Sequence, residues 1–179
     1  QDKVIRWACG GALKGLLKAE FSPIREKVKA IEVTGPDVLL DARAYSVLAL
    51  VLHELATNAA KYGALSVSTG RLSLRWKRTD IGDCELHWLE RDGPIVAPPS
   101  RPGFGSMLIS RSIPYDLGGE SDVDYEPAGT RVRLLIPARF VVWPAPIAAR
   151  NVRARREDDK PMASMRGLKV LMVEDQLLI

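Results

Sequence analysis

Residues 41–63 read DARAYSVLALVLHELATNAAKYG, and the fold follows from them. Asp41 is a side chain that accepts backbone N–H groups at a helix start. After it, Ala44, Val47, Leu48, Val51, Leu55 and Ala59 recur at helical spacing and form one apolar stripe. The pattern predicts a helix from Asp41 to about Tyr62, with Gly63 as its stop. On another face stand Glu54, Asn58 and Lys61, spaced by four and three residues, so their Cβ atoms are neighbours about 5 to 6 Å apart. A carboxylate, an amide and an ammonium in a row suit a hydrated divalent cation with a polyphosphate. Asn58 offers an oxygen to Mg²⁺, Lys61 neutralises phosphate oxygens, and Glu54 polarises a water or hydroxyl. The plain alternative is a solvated face on which Glu54 pairs with Lys61.

The flanks of this helix supply the remaining elements. Upstream, Leu13, Leu16, Leu17 and Glu20 predict a short helix from about Gly11 to Phe21, stopped by Pro23. Residues 30–33 and 38–40 alternate around Gly35-Pro36-Asp37 and read as a β-hairpin. Downstream, Leu72, Leu74 and Trp76, then Cys84, Leu86 and Trp88, alternate with polar neighbours across a turn at Gly82-Asp83, as paired antiparallel strands do. Residues 93–105 hold four prolines and three glycines and predict a loop. Met107 to Ile109 open a further helix, which Pro114 must kink or break before Gly118-Gly119. Val123 with Tyr125, then Val132, Leu134 and Ile136, give two more strands. This order predicts an α/β two-layer sandwich: a mixed, mostly antiparallel sheet covered on one face by helices.

The chain has 179 residues, 46% hydrophobic and 27% charged, which fits a globular domain and excludes wholesale disorder. The net charge is +4, but much of the basic excess lies at Arg150, Arg153, Arg155 and Arg156, and aromatics are only 6%. Nucleic acid is therefore not an expected partner. Cys9 and Cys84 lack metal-type spacing, which suggests a reducing, cytoplasmic setting. No uncharged apolar run approaches the roughly 18 to 20 residues of a membrane helix, so no membrane contact is expected of this segment. Its first residue is not Met, and the chain reads as part of a longer protein.

A second functional signal lies in the loop. Glu90-Arg91-Asp92-Gly93 stand at its entry and Gly103-Phe104-Gly105-Ser106 at its exit. Glycines permit close backbone approach, and the helix that follows presents free N–H groups to an anion such as phosphate.

His53-Glu54-Leu55-Ala56-Thr57-Asn58-Ala59-Ala60-Lys61-Tyr62-Gly63-Ala64-Leu65-Ser66 resembles the N box of a bacterial sensor histidine kinase of the HWE family. Trp88-Leu89-Glu90 is similar to that family's Trp-x-Glu element, Pro102 to Ser106 resembles its second glycine box, and Leu117-Gly118-Gly119 with Ile136-Pro137 fits its closing helix and strand. The resemblance covers roughly residues 7–140. It implies the Bergerat-type ATP-binding fold shared with gyrase, the heat-shock chaperone and mismatch-repair ATPases. It further implies ATP and Mg²⁺ as ligands, with Asn58 the Mg²⁺ ligand, Lys61 a phosphate contact, Tyr62 a wall of the adenine pocket, and Glu54 a base or water-orienting group, through water a further Mg²⁺ contact. Gly103, Phe104, Gly105 and Ser106 would line the phosphates. The family's adenine-reading Asp has no counterpart in the usual Asp-x-Gly-x-Gly form. Glu90 is nearest, with Asp92 two residues on beside Gly93. His53 is expected to hydrogen-bond near the site or to orient Glu54, not to be the phosphorylated histidine.

After Phe140 the composition changes, and residues 141–166 read as a Pro-punctuated, charged linker. Leu168 to Asp175 resembles the first strand of a response-regulator receiver domain, which implies Glu174 and Asp175 as Mg²⁺-binding acids there. The domains expected are thus 1–140, 141–166 and 167–179. The resemblance implies transfer of the ATP γ-phosphoryl group to a histidine on upstream dimerisation helices, in a homodimeric protein whose partners are its receiver and a separate response regulator. Two alternatives remain: a nucleotide-binding regulatory module without phosphotransfer, and an ATPase of another branch of the superfamily.

Overall fold

The computed structural model describes residues 10–22, 31–97 and 103–144. Strand β1 (Gly11–Ala12) leads into α1 (Leu13–Phe21), and β2 (Ile31–Thr34) and β3 (Leu39–Leu40) precede the long α2 (Ala42–Lys61). Strands β4 (Arg71–Arg78) and β5 (Cys84–Arg91), helix α3 (Phe104–Ser112), strands β6 (Glu120–Glu126) and β7 (Gly129–Ile136), and the short β8 (Val141–Val142) follow. Five strands form one sheet in the order β2-β4-β5-β7-β6, with only the β2–β4 pair parallel. This is the mixed, mostly antiparallel sheet that the alternation implied.

Alternation divides the sheet into two unlike faces. Leu72, Leu74, Trp76, Cys84, Leu86, Trp88, Val132, Leu134 and Ile136 face the helices and are buried. They meet Leu13, Leu17 and Phe21 of α1, Leu48, Val51, Leu52 and Leu55 of α2, and Ile109 of α3 in one core. Phe21 packs its ring 6.0 Å from that of Trp88 at a tilt of 36°. The opposite face carries charge. Arg133 bonds Glu85, Glu120 and Asp122 at 2.7, 2.7 and 3.0 Å, and Lys77 reaches Glu85 at 3.0 Å.

Asp41 caps α2 as expected, accepting the Ala44 N–H at 2.8 Å. Other expectations need correction. The hairpin read at residues 30–40 does not form: β2 joins the large sheet parallel to β4, whereas β3 joins β1 and β8 in a separate three-stranded sheet. The intervening turn is held sideways by the Trp76 indole, which donates to the Pro36 carbonyl at 2.8 Å, so it carries the chain from one sheet to the other. Helix α3 begins at Phe104, three residues before the apolar run that signalled it. Pro114 does not break it, because residues Ile113–Leu117 widen into a π-helical turn that absorbs the missing donor. The compact unit also extends past residue 140 to Pro144: β8 pairs with β3, and the Trp143 indole donates to the Gly82 carbonyl at 2.9 Å. The receiver-like strand at 168–175, with Glu174 and Asp175, and most of the linker lie outside the described residues. No described helix is long and apolar enough to cross a membrane.

Candidate nucleotide-binding site

Helix α2 brings its polar row to the edge of the core, where the start of α3 and the ends of β5, β6 and β7 meet it. Between them is a cavity of about 450 Å³, lined by Glu54, Leu55, Asn58, Tyr62 and Gly63 from α2 and its end, Glu90 from β5, and Gly103, Gly105, Ser106 and Ile109 from the start of α3. Val96, Ala97, Val123, Tyr125 and Thr130 complete the wall. Asn58 and Glu54 are half-buried, one turn apart along the cavity. A Cβ on Gly105 would come within 2.6 Å of the Glu54 carboxylate, which would have to shift to admit it. The glycine thus leaves this carboxylate room beside the first turn of α3. At that turn, Ser106 and Met107 both bond back to the Gly103 carbonyl, at 2.9 and 3.1 Å.

Glu90 is the polar end of an apolar row. Cys84, Leu86 and Trp88 precede it on the same inward face of β5, and its side chain is 3% exposed. Two donors meet it, the Trp88 indole N–H at 3.0 Å on Oε1 and the Ala64 backbone N–H at 2.8 Å on Oε2. Burial pushes its carboxyl above the ordinary carboxylate range, and the two N–H groups pull the other way. A side chain on Gly63 would overlap Oε2, so glycine lets the chain pass close enough to deliver the Ala64 N–H. Burial likewise pushes up the Tyr125 phenol across the cavity.

Several residues expected at the site are not brought together with these. His53 points away from the cavity: its exposed ring sits 2.9 Å from Glu20 of α1, so it neither orients Glu54 nor joins the site. Neighbouring helix positions face directions about 100° apart, which separates it from Glu54. Lys61 is exposed at the last turn and does not line the cavity. Asp92 takes a left-handed backbone, φ 57°, and its exposed carboxylate pairs with Arg71 at 3.3 Å, outside the cavity. Gly93 packs on the backbone of Ala64 instead, where a Cβ would come within 2.7 Å of its Cα. Phe104 is 80% exposed. Tyr62 lines the mouth but is 73% exposed. Conversely, sequence reasoning missed Ala64, Tyr125 and Thr130. Thr130 had a signal, since it is a polar residue on the inward face of a strand whose other inward positions, Val132, Leu134 and Ile136, are apolar; Tyr125 shares its inward face with Ser121 and stands out less, and a backbone N–H such as that of Ala64 has no signal.

Two larger concavities, of about 630 and 660 Å³, lie on the outer sheet face by Arg71, Arg75 and Arg91 and beside α3 at Phe104, Met107 and Tyr115. Neither contains a buried charge, so the chemistry points to the smaller cavity.

No protein-family model matches the chain. Its sequence is 40% identical over 130 residues to blue-light-activated histidine kinase 1 of Erythrobacter litoralis, covering 70% of this chain and 36% of that protein. It is 33% identical over 142 residues to the blue-light-activated histidine kinase of Brucella ovis, covering 77% and 29%. Among solved structures, the histidine kinase domain of the Erythrobacter litoralis EL346 blue-light activated histidine kinase superposes with a TM-score of 0.57 at 21% identity, over 69% of this chain and 59% of that one. The mycobacterial sensor histidine kinase MprB gives 0.57 at 23% identity, over 72% and 95%. The chain spans about a third of the length of the curated relatives it matches, and its fold is that of a histidine kinase catalytic domain.

Proposed function

We propose that this chain is the ATP-binding catalytic domain of a two-component sensor histidine kinase of the HWE type. It binds Mg²⁺-ATP in the 450 Å³ cavity and passes the γ-phosphoryl group to a histidine on dimerisation helices N-terminal to it. The observation that carries this reading is the meeting of Glu54 and Asn58, the glycine-bounded start of α3, and the buried Glu90 around one cavity. In it, the Glu90 carboxylate accepts from the exocyclic amine of adenine, and the free N–H groups of Gly105 and Ser106 face phosphate oxygens. Asn58 would supply a neutral oxygen to Mg²⁺.

The donor set fits Mg²⁺. Among the described residues no group of three or more His, Cys, Asp or Glu forms a metal cage, and Mg²⁺ takes few protein ligands, keeping waters and phosphate oxygens for the rest. Bound there, the ion would neutralise charge on the polyphosphate. Glu54, one turn from Asn58, orients a water or accepts the proton that the attacking imidazole loses. The P–O bond to ADP breaks as the P–N bond forms, with positioning and charge stabilisation as the protein's main contributions. Lys61, exposed at the rim, reaches the phosphates only by swinging inward. The receiver-like segment at 168–175 and a separate response regulator are the downstream partners, and the whole protein is a homodimer.

Calorimetry on the 179-residue chain tests the binding half. Asn58→Ala should weaken Mg²⁺-ATP by about 1 to 3 kcal/mol. Equal binding by the variant, or no binding by wild type at millimolar ATP, would remove the site. Radiolabelled ATP should leave the chain itself unlabelled and place acid-labile phosphate on an added upstream histidine helix pair. Binding without such transfer would favour a regulatory nucleotide module.

A further inference from the structure

Among the described residues, Trp88 is the largest fully buried side chain. Its surroundings are apolar, with the Phe21 ring beside it and Leu86 next on the same face of its strand. An indole there brings a polar N–H that a phenyl or aliphatic side chain of similar bulk would not, and a buried donor without an acceptor costs about 1 to 3 kcal/mol. The donor has one partner, Glu90 Oε1 at 3.0 Å. The other carboxylate oxygen is held by the Ala64 N–H at 2.8 Å. These donors arrive from different elements, β5 and the segment after α2. Rotating the carboxylate about its last bond would break both. Each oxygen keeps a second lone pair, and Glu90 lines the cavity.

We infer that Trp88 is a positioning residue for nucleobase selection: its indole N–H, opposed by the Ala64 N–H, pins the plane of the Glu90 carboxylate so that its free lone pairs meet an exocyclic amine. The inference rests on the nucleotide reading given above. It explains why a tryptophan and a glutamate stand two residues apart on an inward strand face, where packing alone asks only for two apolar residues. It also assigns specificity to a side chain that never touches the ligand. An unpinned carboxylate would still accept hydrogen bonds, but would lose the orientation that separates a base carrying the amine from one lacking it.

The test compares ATP with purine riboside triphosphate, which has the same ring and phosphates without the amine. Wild type should bind ATP roughly tenfold more tightly, as expected for a hydrogen bond to a charged group. Replacing Trp88 by 3-benzothienylalanine keeps the ring shape and removes only the N–H. Trp88→Phe serves as a second variant, with thermal unfolding confirming that each is folded. The expected result is a several-fold fall in the ATP preference of both variants, with purine triphosphate affinity nearly unchanged. An unchanged preference, or an equal loss for both nucleotides, would reduce Trp88 to packing and overturn the inference. Equal binding of the two nucleotides by wild type would overturn it as well, while leaving nucleotide binding intact. Binding of neither by wild type would instead overturn the nucleotide reading, and the inference with it.

Discussion

Strand β5 carries two glutamates, five residues apart and on opposite faces of one sheet, and they have opposite chemistry. Glu85 faces outward, where Arg133 bonds it at 2.7 Å and Lys77 at 3.0 Å; those bonds hold its carboxyl down to about 2. Glu90 faces the helices, meets two neutral N–H groups instead of a cation, and is pushed up by burial. A charged partner makes a carboxylate part of the surface; two neutral donors in a dry setting leave its remaining lone pairs for a ligand. The difference is built by glycine as much as by the acid, since Gly63 admits the backbone that supplies one of the two donors.

The harshest way to break this contrast is therefore Gly63→Val. The added atoms overlap the Glu90 carboxylate and crowd the Ala59 backbone, so either the chain after α2 or the acid must move. A stability loss of about 3 kcal/mol is expected from such overpacking, together with weaker ATP binding. Denaturant unfolding measures the first and calorimetry the second; a variant as stable as wild type would show that the close approach is not required. A finer cut is Glu90→Gln. Its amide can accept from only one of the Trp88 and Ala64 N–H groups and turns its NH₂ toward the other, so about 1 to 2 kcal/mol of ATP affinity should be lost. GTP should be affected unequally, because its base presents different groups to that position. Titration of both nucleotides decides, and equal losses would take Glu90 out of base recognition.

The same contrast separates what sequence could show from what it could not. Alternation along β4, β5 and β7 and the stripe of α2 place the sheet, its inner face and its main helix, because period-two and period-3.6 patterns report burial directly. The patterns fail where tertiary contacts decide. Residues 31–40 look like a hairpin locally, yet the Trp76 indole, 40 residues from its Pro36 acceptor, turns them between two sheets. Pro114 reads as a breaker and is absorbed by a π-turn. At the site, Glu54, Asn58 and Gly105 were legible from spacing, whereas His53 and Lys61 share the motif but not the cavity. A sequence motif groups residues by proximity in the chain; the helix then distributes them around its circumference.

The smallest effect lies on the outer face and has the opposite sign in pH. Glu85 is held at about 2 in the folded protein, below the ordinary 4.5, so folding favours its ionised form. Its contribution is complete above about pH 4.5 and is lost as the pH falls toward 2. Glu90 is raised from 4.5, so folding favours its neutral form; its contribution is present below pH 4.5 and is lost as the pH rises through its folded value. Glu85→Gln should therefore flatten the acid limb of the stability profile between about pH 4.5 and 2, at a neutral-pH cost of only about 0.5 to 1 kcal/mol, since Lys77 is largely solvated and Arg133 keeps Glu120 and Asp122 as partners. Glu90→Gln should leave that acid limb intact and flatten the decline above pH 4.5. Thermal unfolding of the ligand-free variants across this range separates the two. If both substitutions changed the same limb, the two faces of β5 would not be electrostatically distinct, and the role given to the neutral donors around Glu90 would fail with that distinction.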